Sequence, residues 1–296
     1  MTALTIGRSA TAPQQPKTSR PVKRTVGAAL KYLSLIVAAA VVIIPMLVFV
    51  FISLKTAKEA TNTGPLTPPK NWLNFHNYQV AFDSAHILLA FVNTAIIIAA
   101  SSVATIFIGS MTAYAVSRFR FRGKRLVMVA FLIATLVPTI TTQVATYQIV
   151  KNLGLIDTRV APIALYSGTD IISIYIFLQF IRSIPISLDE AARVDGAGHI
   201  RIYWSIILPL LRPAMATVVI IKAVTIYNDF YTPLLYMPSP QLNVVSTALY
   251  YFKGPYGAQW QILSAGALIV ILPILVIFLF LQKFIYNGLR NGGAVK

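Results

Sequence analysis

From Tyr32 to Leu54 the chain runs for 23 residues without a charge, bracketed by Lys31 and Lys55. A helix rises 1.5 Å per residue, so about 20 apolar residues cross the roughly 30 Å hydrocarbon core of a bilayer. Lipid offers the backbone no hydrogen-bond partners, which leaves helix as the form for such a segment. It is too long for a signal-peptide core, and no small-residue cleavage site follows it. Further apolar stretches come after it. Leu88–Ser117 and Leu126–Val150 are uncharged, Val160–Ile181 is interrupted only by Asp170, and Pro213–Met237 carries Lys222 and Asp229. Gln261–Gln282 ends at Lys283. The expectation is an all-α membrane protein of six transmembrane helices, at about 32–54, 91–115, 126–149, 160–181, 213–237 and 261–282. Residues 1–30 read as a disordered basic tail, rich in Ser, Thr, Pro, Gln and Lys, and residues 31–296 as the membrane domain.

The composition agrees: 57% of the 296 residues are hydrophobic and 11% are charged, against about 25% charged in a soluble domain. The formal charge of +17 would suit a nucleic-acid partner, so its placement decides. Short cytoplasmic loops carry the excess of Lys and Arg. With the N-terminus inside, 18 of the 25 basic residues fall on the cytoplasmic side, 6 outside, and Lys222 within span five. The charge is therefore a topology signal, and nucleic acid is not implied. Both termini come out cytoplasmic. The run 118–125, alternating basic and aromatic residues, reads as a cytoplasmic turn beside headgroups.

There is no cysteine, and the three histidines are scattered. Disulfides, thiol catalysis and Cys-ligated metals are excluded. No Gly-rich phosphate loop, paired carboxylates or Ser/His/Asp arrangement is present, so neither a nucleotide site nor an enzyme is expected. Outside, Trp72, Phe75, Tyr78 and Phe82 read as part of an interfacial aromatic belt.

The segment from Ile181 to Ala214 is the informative one. It is too long for a helix–helix connection, where 2–8 residues are usual. Ser187 and Glu190 read as a capping box opening a short helix. Gly196 and Gly198 end that helix after Asp195. A second helix, about His199 to Ile207, stops at Pro209, and Pro213 suits the first turn of span five. Such a hairpin at the cytoplasmic surface, residues 182–212, is suited to docking a soluble partner.

Here the chain resembles the permeases of binding-protein-dependent ABC importers. Glu190, Ala191 and Ala192, then Gly196, then Ile206, Leu208 and Pro209 match that family's signature at every spacing. The extension through Asp195 and Ala197 is similar to the carbohydrate-uptake branch. Tyr227–Met237 and the ending Asn287–Lys296 look like the second, maltose/maltodextrin-type permease of the pair. One departure is Ser187, at a position often acidic in the family.

The resemblance implies a multi-pass protein of a bacterial or archaeal cell membrane that transports a sugar or oligosaccharide. Its partners would be a second permease, two cytosolic ATPase subunits and an external sugar-binding protein. No cofactor is expected in this chain; ATP and Mg would belong to the ATPase. Ser187, Leu188, Glu190, Ala191, Ala192, Asp195, Gly196, Ile206, Leu208 and Pro209 would couple to that ATPase. The outer loop at Lys253, Gly254, Pro255 and Tyr256 would face the binding protein; the plainer alternative is a Gly/Pro turn.

Charges within spans face a bundle interior or a cavity. Lys222 and Asp229, seven apart, are expected on one face of span five. With Asp170 they either line a polar path or brace the bundle. Tyr227, Asn228, Asp229 and Tyr231 offer hydrogen bonds and aromatic faces suited to sugar. Three rival readings stay open. One is an importer of glycerol phosphate, polyamine or amino acid. Another is an ion-coupled secondary transporter, which would need inverted repeats that the chain does not display. A membrane-bound enzyme is the third, and it lacks a constellation to carry it.

Overall fold

The computed structural model describes residues 22–168, 170–254 and 257–292. Two units divide the chain, residues 1–49 and 50–296. In the first, the described residues 22–49 form the body of α1 (Val22–Leu54), with Pro45 inside it. Large apolar side chains from Leu30 to Leu47 are exposed on all sides. A helix apolar all round is at home only in an apolar surrounding, as span one requires. Its helix starts at Val22, within the stretch read as tail; residues 1–21 lie outside the described residues.

The second unit is built around α4 (Ile87–Arg118), a continuous 32-residue helix. It packs against α7 (Val160–Gly168), α8 (Ile171–Ser183) and α12 (Arg212–Asn228). Small residues allow the approach, since lipid gives no hydrophobic drive between helices. At Gly109 a Cβ would stand 3.2 Å from the Phe177 ring, and Phe177 is fully buried. The pieces α2 (Ala57–Asn62) and α3 (His76–Ser84) lie between α1 and α4 in sequence, and α3 packs on α15 (Trp260–Gly292).

Lys55, expected as an exposed flank, is fully buried. Its Nζ donates to Thr63 Oγ1 at 2.9 Å and to Gly64 O at 2.8 Å. The ammonium is thereby satisfied by the turn that follows α2. Tyr78, read as part of the belt, instead shares a 2.8 Å hydrogen bond with buried Ser53.

Spans three to five are not single helices. α5 (Lys124–Leu136) and α6 (Thr139–Asn152) are separated at Pro138. Proline disfavours the α region in the residue before it, and Val137 is extended at φ −76°, ψ 115°. Span four breaks between α7 and α8, where Asp170 caps α8 by accepting from Ser173 N at 3.1 Å and Ser173 Oγ at 2.6 Å. Span five ends at Asn228, and α13 (Tyr231–Tyr236) is a separate short helix. Asp229 Oδ1 accepts from Tyr231 N at 2.9 Å and Thr232 N at 3.1 Å, closing the first turn of α13. Both acids inside spans are thus stops and starts of helices. Among the described residues, α1 and α4 alone are continuous helices long and apolar enough to cross a membrane. Three bent helix pairs would each be long and apolar enough if taken as one span, and Trp260–Val276 is a shorter apolar helix.

The loop after α13 is tied to α4. Asn93, fully buried, donates to Gln241 O and Asn243 O at 2.9 Å each and accepts a forked pair from Arg159. Thr94 Oγ1 accepts from Val245 N at 3.0 Å, at the start of α14 (Val245–Ala248). Beyond it, β1 (Lys253–Gly254) and β2 (Gly257–Ala258) form an antiparallel pair. This two-residue ribbon is the described exception to an all-helical chain. Pro255 and Tyr256, between the two strands in sequence, lie outside the described residues.

Candidate functional site

The segment after α8 folds into a compact hairpin. α9 (Ser187–Val194) is strongly two-sided: Asp189 and Ala192, three apart, are its buried residues. Ser187, Leu188, Glu190, Ala191 and Val194 face out. Ala192 therefore packs inside its own chain, and Ala191 is the small residue left on the outer surface. Exposed apolar side chains accumulate here, with Val194 at 88% and Ile200 at 77%.

The expected capping box is absent. Ile186, already helical at φ −66°, ψ −22°, precedes the helix, and no side chain caps it. Pro185 starts the turn one step earlier, with Leu188 N donating to Pro185 O at 3.3 Å and Glu190 N to Ile186 O at 3.1 Å. Ser187 is thereby the first helical residue and Glu190 is free of a capping role.

The stop at Gly196 is as read. Ala197 N donates to Ala192 O at 2.9 Å and Gly196 N to Arg193 O at 3.0 Å, a Schellman motif. Gly196 takes φ +79°, which glycine adopts without strain. Asp195 is the residue just before that turn and is exposed.

The second helix does not stop at Pro209. After α10 (His199–Ile202) the chain widens into a π turn over Tyr203–Ile207, where Leu208 N donates to Tyr203 O. α11 (Leu208–Leu210) then carries Pro209, and the chain bends by 70° into α12. A π turn absorbs one extra residue, which lets the helix run through a proline that has no N–H to give. Ile206 and Leu208 are half-buried against the core and Pro209 is exposed.

A hinge of charge and aromatic rings ties this hairpin to the end of α4. Arg118 Nε lies 2.9 Å from Asp189 Oδ2, with side chains 10% and 5% exposed. Its Nη2 donates to Ile184 O at 2.9 Å. The Nε approach is a charge contact without an aligned N–H···O bond, and Asp189 Oδ1 has no hydrogen-bond partner among the described residues. Phe119 packs on His199 with ring centres 4.8 Å apart, and Tyr114 on Tyr203 at 5.6 Å. Tyr203 shares a 2.8 Å hydrogen bond with Ser110. Burial raises its phenol above the ordinary value. Sequence reasoning missed Asp189, Arg118 and Tyr203. The signal available was that Asp189 lies three residues from Ala192 on the inward stripe of an otherwise polar helix.

The charged residues of the spans form a second cluster. Lys222 Nζ lies 2.8 Å from Asp170 Oδ2 and also donates to Tyr166 O. Tyr166 Oη donates to Asp229 Oδ2 at 2.9 Å. Lys222 and Asp229 are thus joined through α7, not by sharing one helix face, because α12 ends before Asp229. Tyr227 Oη donates to Val270 O at 2.7 Å and Asn228 to Val224 O at 2.8 Å, so both are committed internally. Tyr231 is 52% exposed. Of the outer-loop residues, Lys253 and Gly254 form β1.

Residues 105–291 match the family described as "Binding-protein-dependent transport system inner membrane component". The chain is 33% identical over 226 residues to the melibiose/raffinose/stachyose import permease of Bacillus subtilis, covering 76% of this chain and 82% of that one. To the maltodextrin transport system permease of the same organism it is 31% identical over 270 residues, 89% and 94% of the two chains. A solved bacterial ABC transporter that imports the acidic polysaccharide alginate shares the fold, with a TM-score of 0.77 at 19% identity over 91% of this chain and 99% of that one. With Glu190 and Ala191 of the signature on the outward face of α9 and more than half of the chain matched, the protein belongs to the binding-protein-dependent transport system inner-membrane components, the multi-pass permease subunits of ABC importers.

Proposed function

We propose that this chain is one of two permease subunits of an ATP-driven sugar or oligosaccharide importer, the one corresponding to the second permease of maltodextrin-type systems. The relatives named for melibiose, raffinose, stachyose and maltodextrin support the sugar reading. In this reading six spans, three of them broken, cross the membrane with both termini cytoplasmic. A second permease completes the path, two ATPase subunits bind ATP and Mg, and an external binding protein delivers the sugar.

The observation that carries the coupling role is the two-sidedness of α9. Its outer face offers Leu188, Glu190, Ala191 and Val194 to a partner, while Asp189 holds its inner face to Arg118 of α4. Closure of the ATPase on the outer face displaces α9 as a unit. The buried pair and the Phe119–His199 contact pass that displacement to a membrane-crossing helix. Alternating access follows from moving α4 and the helices packed on it. Contiguous packing with two discrete arrangements is how such coupling is carried.

Affinity purification of the tagged chain from its host in mild detergent, with mass spectrometry, tests the assembly. A second permease and an ATPase co-purifying, with ATP-dependent sugar uptake in liposomes, is the expected result. A lone chain that moves solute without ATP would instead make it a secondary transporter.

A further inference from the structure

The mid-chain helices α6 and α13 enclose an open cavity of about 510 Å³. Its walls carry Gln143, Tyr147, Gln148, Lys151 and Tyr231, with aliphatic side chains between them. Gln143, Tyr147 and Lys151 recur every four residues, so they form one stripe along α6. Gln148 borders it. This is an unusual stripe for a span: an unpaired amide facing hydrocarbon is costly. The stripe therefore faces water, a polar ligand or a partner's polar surface, not lipid.

The two tyrosines are held in place. Tyr147 packs on buried Tyr236 with ring centres 5.9 Å apart. Tyr236 O accepts from Asp157 N at 2.8 Å, and Asp157 also accepts from Ser239. Tyr231 N donates to Asp229 Oδ1, and Asp229 is fastened through Tyr166 to the Lys222–Asp170 pair. The buried charges thus act on the cavity indirectly, by fixing the backbone that carries Tyr231.

We propose that this cavity is a sugar subsite of the translocation path, with Gln143 and Gln148 hydrogen-bonding sugar hydroxyls and Tyr147 and Tyr231 lying against the C–H faces of a pyranose ring. The proposal rests on the sugar-importer reading above. Aromatic faces with nearby amides suit a ligand that has apolar faces and hydroxyl edges. The volume falls within the roughly 300–1,000 Å³ of small-molecule sites. Its one charged wall residue is Lys151 and no carboxylate lines it, which selects a neutral sugar over a cationic solute such as a polyamine.

The test uses the full importer with its native partners in liposomes, loaded with saturating binding protein and radiolabelled melibiose, raffinose or a maltodextrin. Sugar moved per ATP hydrolysed is read beside the uptake rate. The double variant Gln143→Ala/Gln148→Ala should lose about two- to tenfold in uptake per lost hydrogen bond, with ATP hydrolysis still stimulated by the binding protein. Tyr231→Ala should lower sugar per ATP, and Tyr231→Phe should restore it. A wild-type importer that moves a sugar while all three variants keep its rate and its sugar-to-ATP ratio would overturn the subsite and leave the importer reading standing. Loss of the second permease on purification of the double variant would assign this face to the subunit seam and overturn the subsite. A wild-type importer that moves none of the three sugars would overturn the sugar reading, and the subsite with it.

Discussion

Arg118, the last residue of α4, and Asp189, in the middle of α9, meet at 2.9 Å with both side chains almost out of solvent. The pair joins a membrane-crossing helix to the surface that carries the family signature. Removing one partner of a buried pair strands the other, at about 3–5 kcal/mol. Asp189→Ala and Arg118→Ala should each lower the thermal midpoint of the purified importer and abolish uptake. The double variant Arg118→Met/Asp189→Leu should regain most of the midpoint without regaining uptake. Full uptake by the double variant would mean that the pair holds the fold only.

Gly196 has open space around its Cβ position, so its constraint is the backbone alone. Gly196→Ala should cost about 1–2 kcal/mol, the penalty of a left-handed residue with a Cβ. Gly196→Asn should fall between the two. Gly196→Pro cannot reach a positive φ and removes the N–H that Arg193 O accepts. Uptake should vanish in the proline variant while membrane insertion, followed by fractionation, is unchanged.

Glu190 is exposed and has no capping duty. Glu190→Lys should leave the thermal midpoint within the equivalent of about 0.5 kcal/mol and eliminate uptake by reversing charge at the proposed ATPase contact. Unaltered uptake in cells would remove Glu190 from that contact.

Lys222 and Asp170 brace α12 against the start of α8. Lys222→Met leaves a buried carboxylate alone and should lower the yield of folded protein in detergent. Asp170→Asn keeps an oxygen that can cap Ser173 N, and paired with Lys222→Met it should recover most of that yield. Size-exclusion profiles of the three variants would show it; equal loss in the double variant would count against a purely electrostatic brace.

Much of the outline was legible in the chain. Uncharged stretches such as Tyr32–Leu54 and Leu88–Ser117 mark helices because a bilayer admits few other forms. Gly196 marks its turn because few other residues take a positive φ, and the spacing from Glu190 to Pro209 names the family because it is local. Asp170 and Asp229 were legible as important; their bonds to Lys222 and Tyr166 needed the fold. Each Asp accepts from the backbone N–H three residues on, at Ser173 and Thr232, and such a cap divides a span.

What pairs with what needed the tertiary fold. Arg118 and Asp189 are 71 positions apart, and Lys222 reaches Asp170 only because α8 and α12 pack on each other and both on α4. In sequence Arg118 is one basic residue among the five of the run 118–125, and Ala192 is indistinguishable from Ala191. Local rules govern which residues become helical and where helices end, since those depend on hydrogen bonds within a few residues. Which side of a helix faces inward, and which charge meets its counterion, depends on neighbours brought close in space, and no local rule contains them.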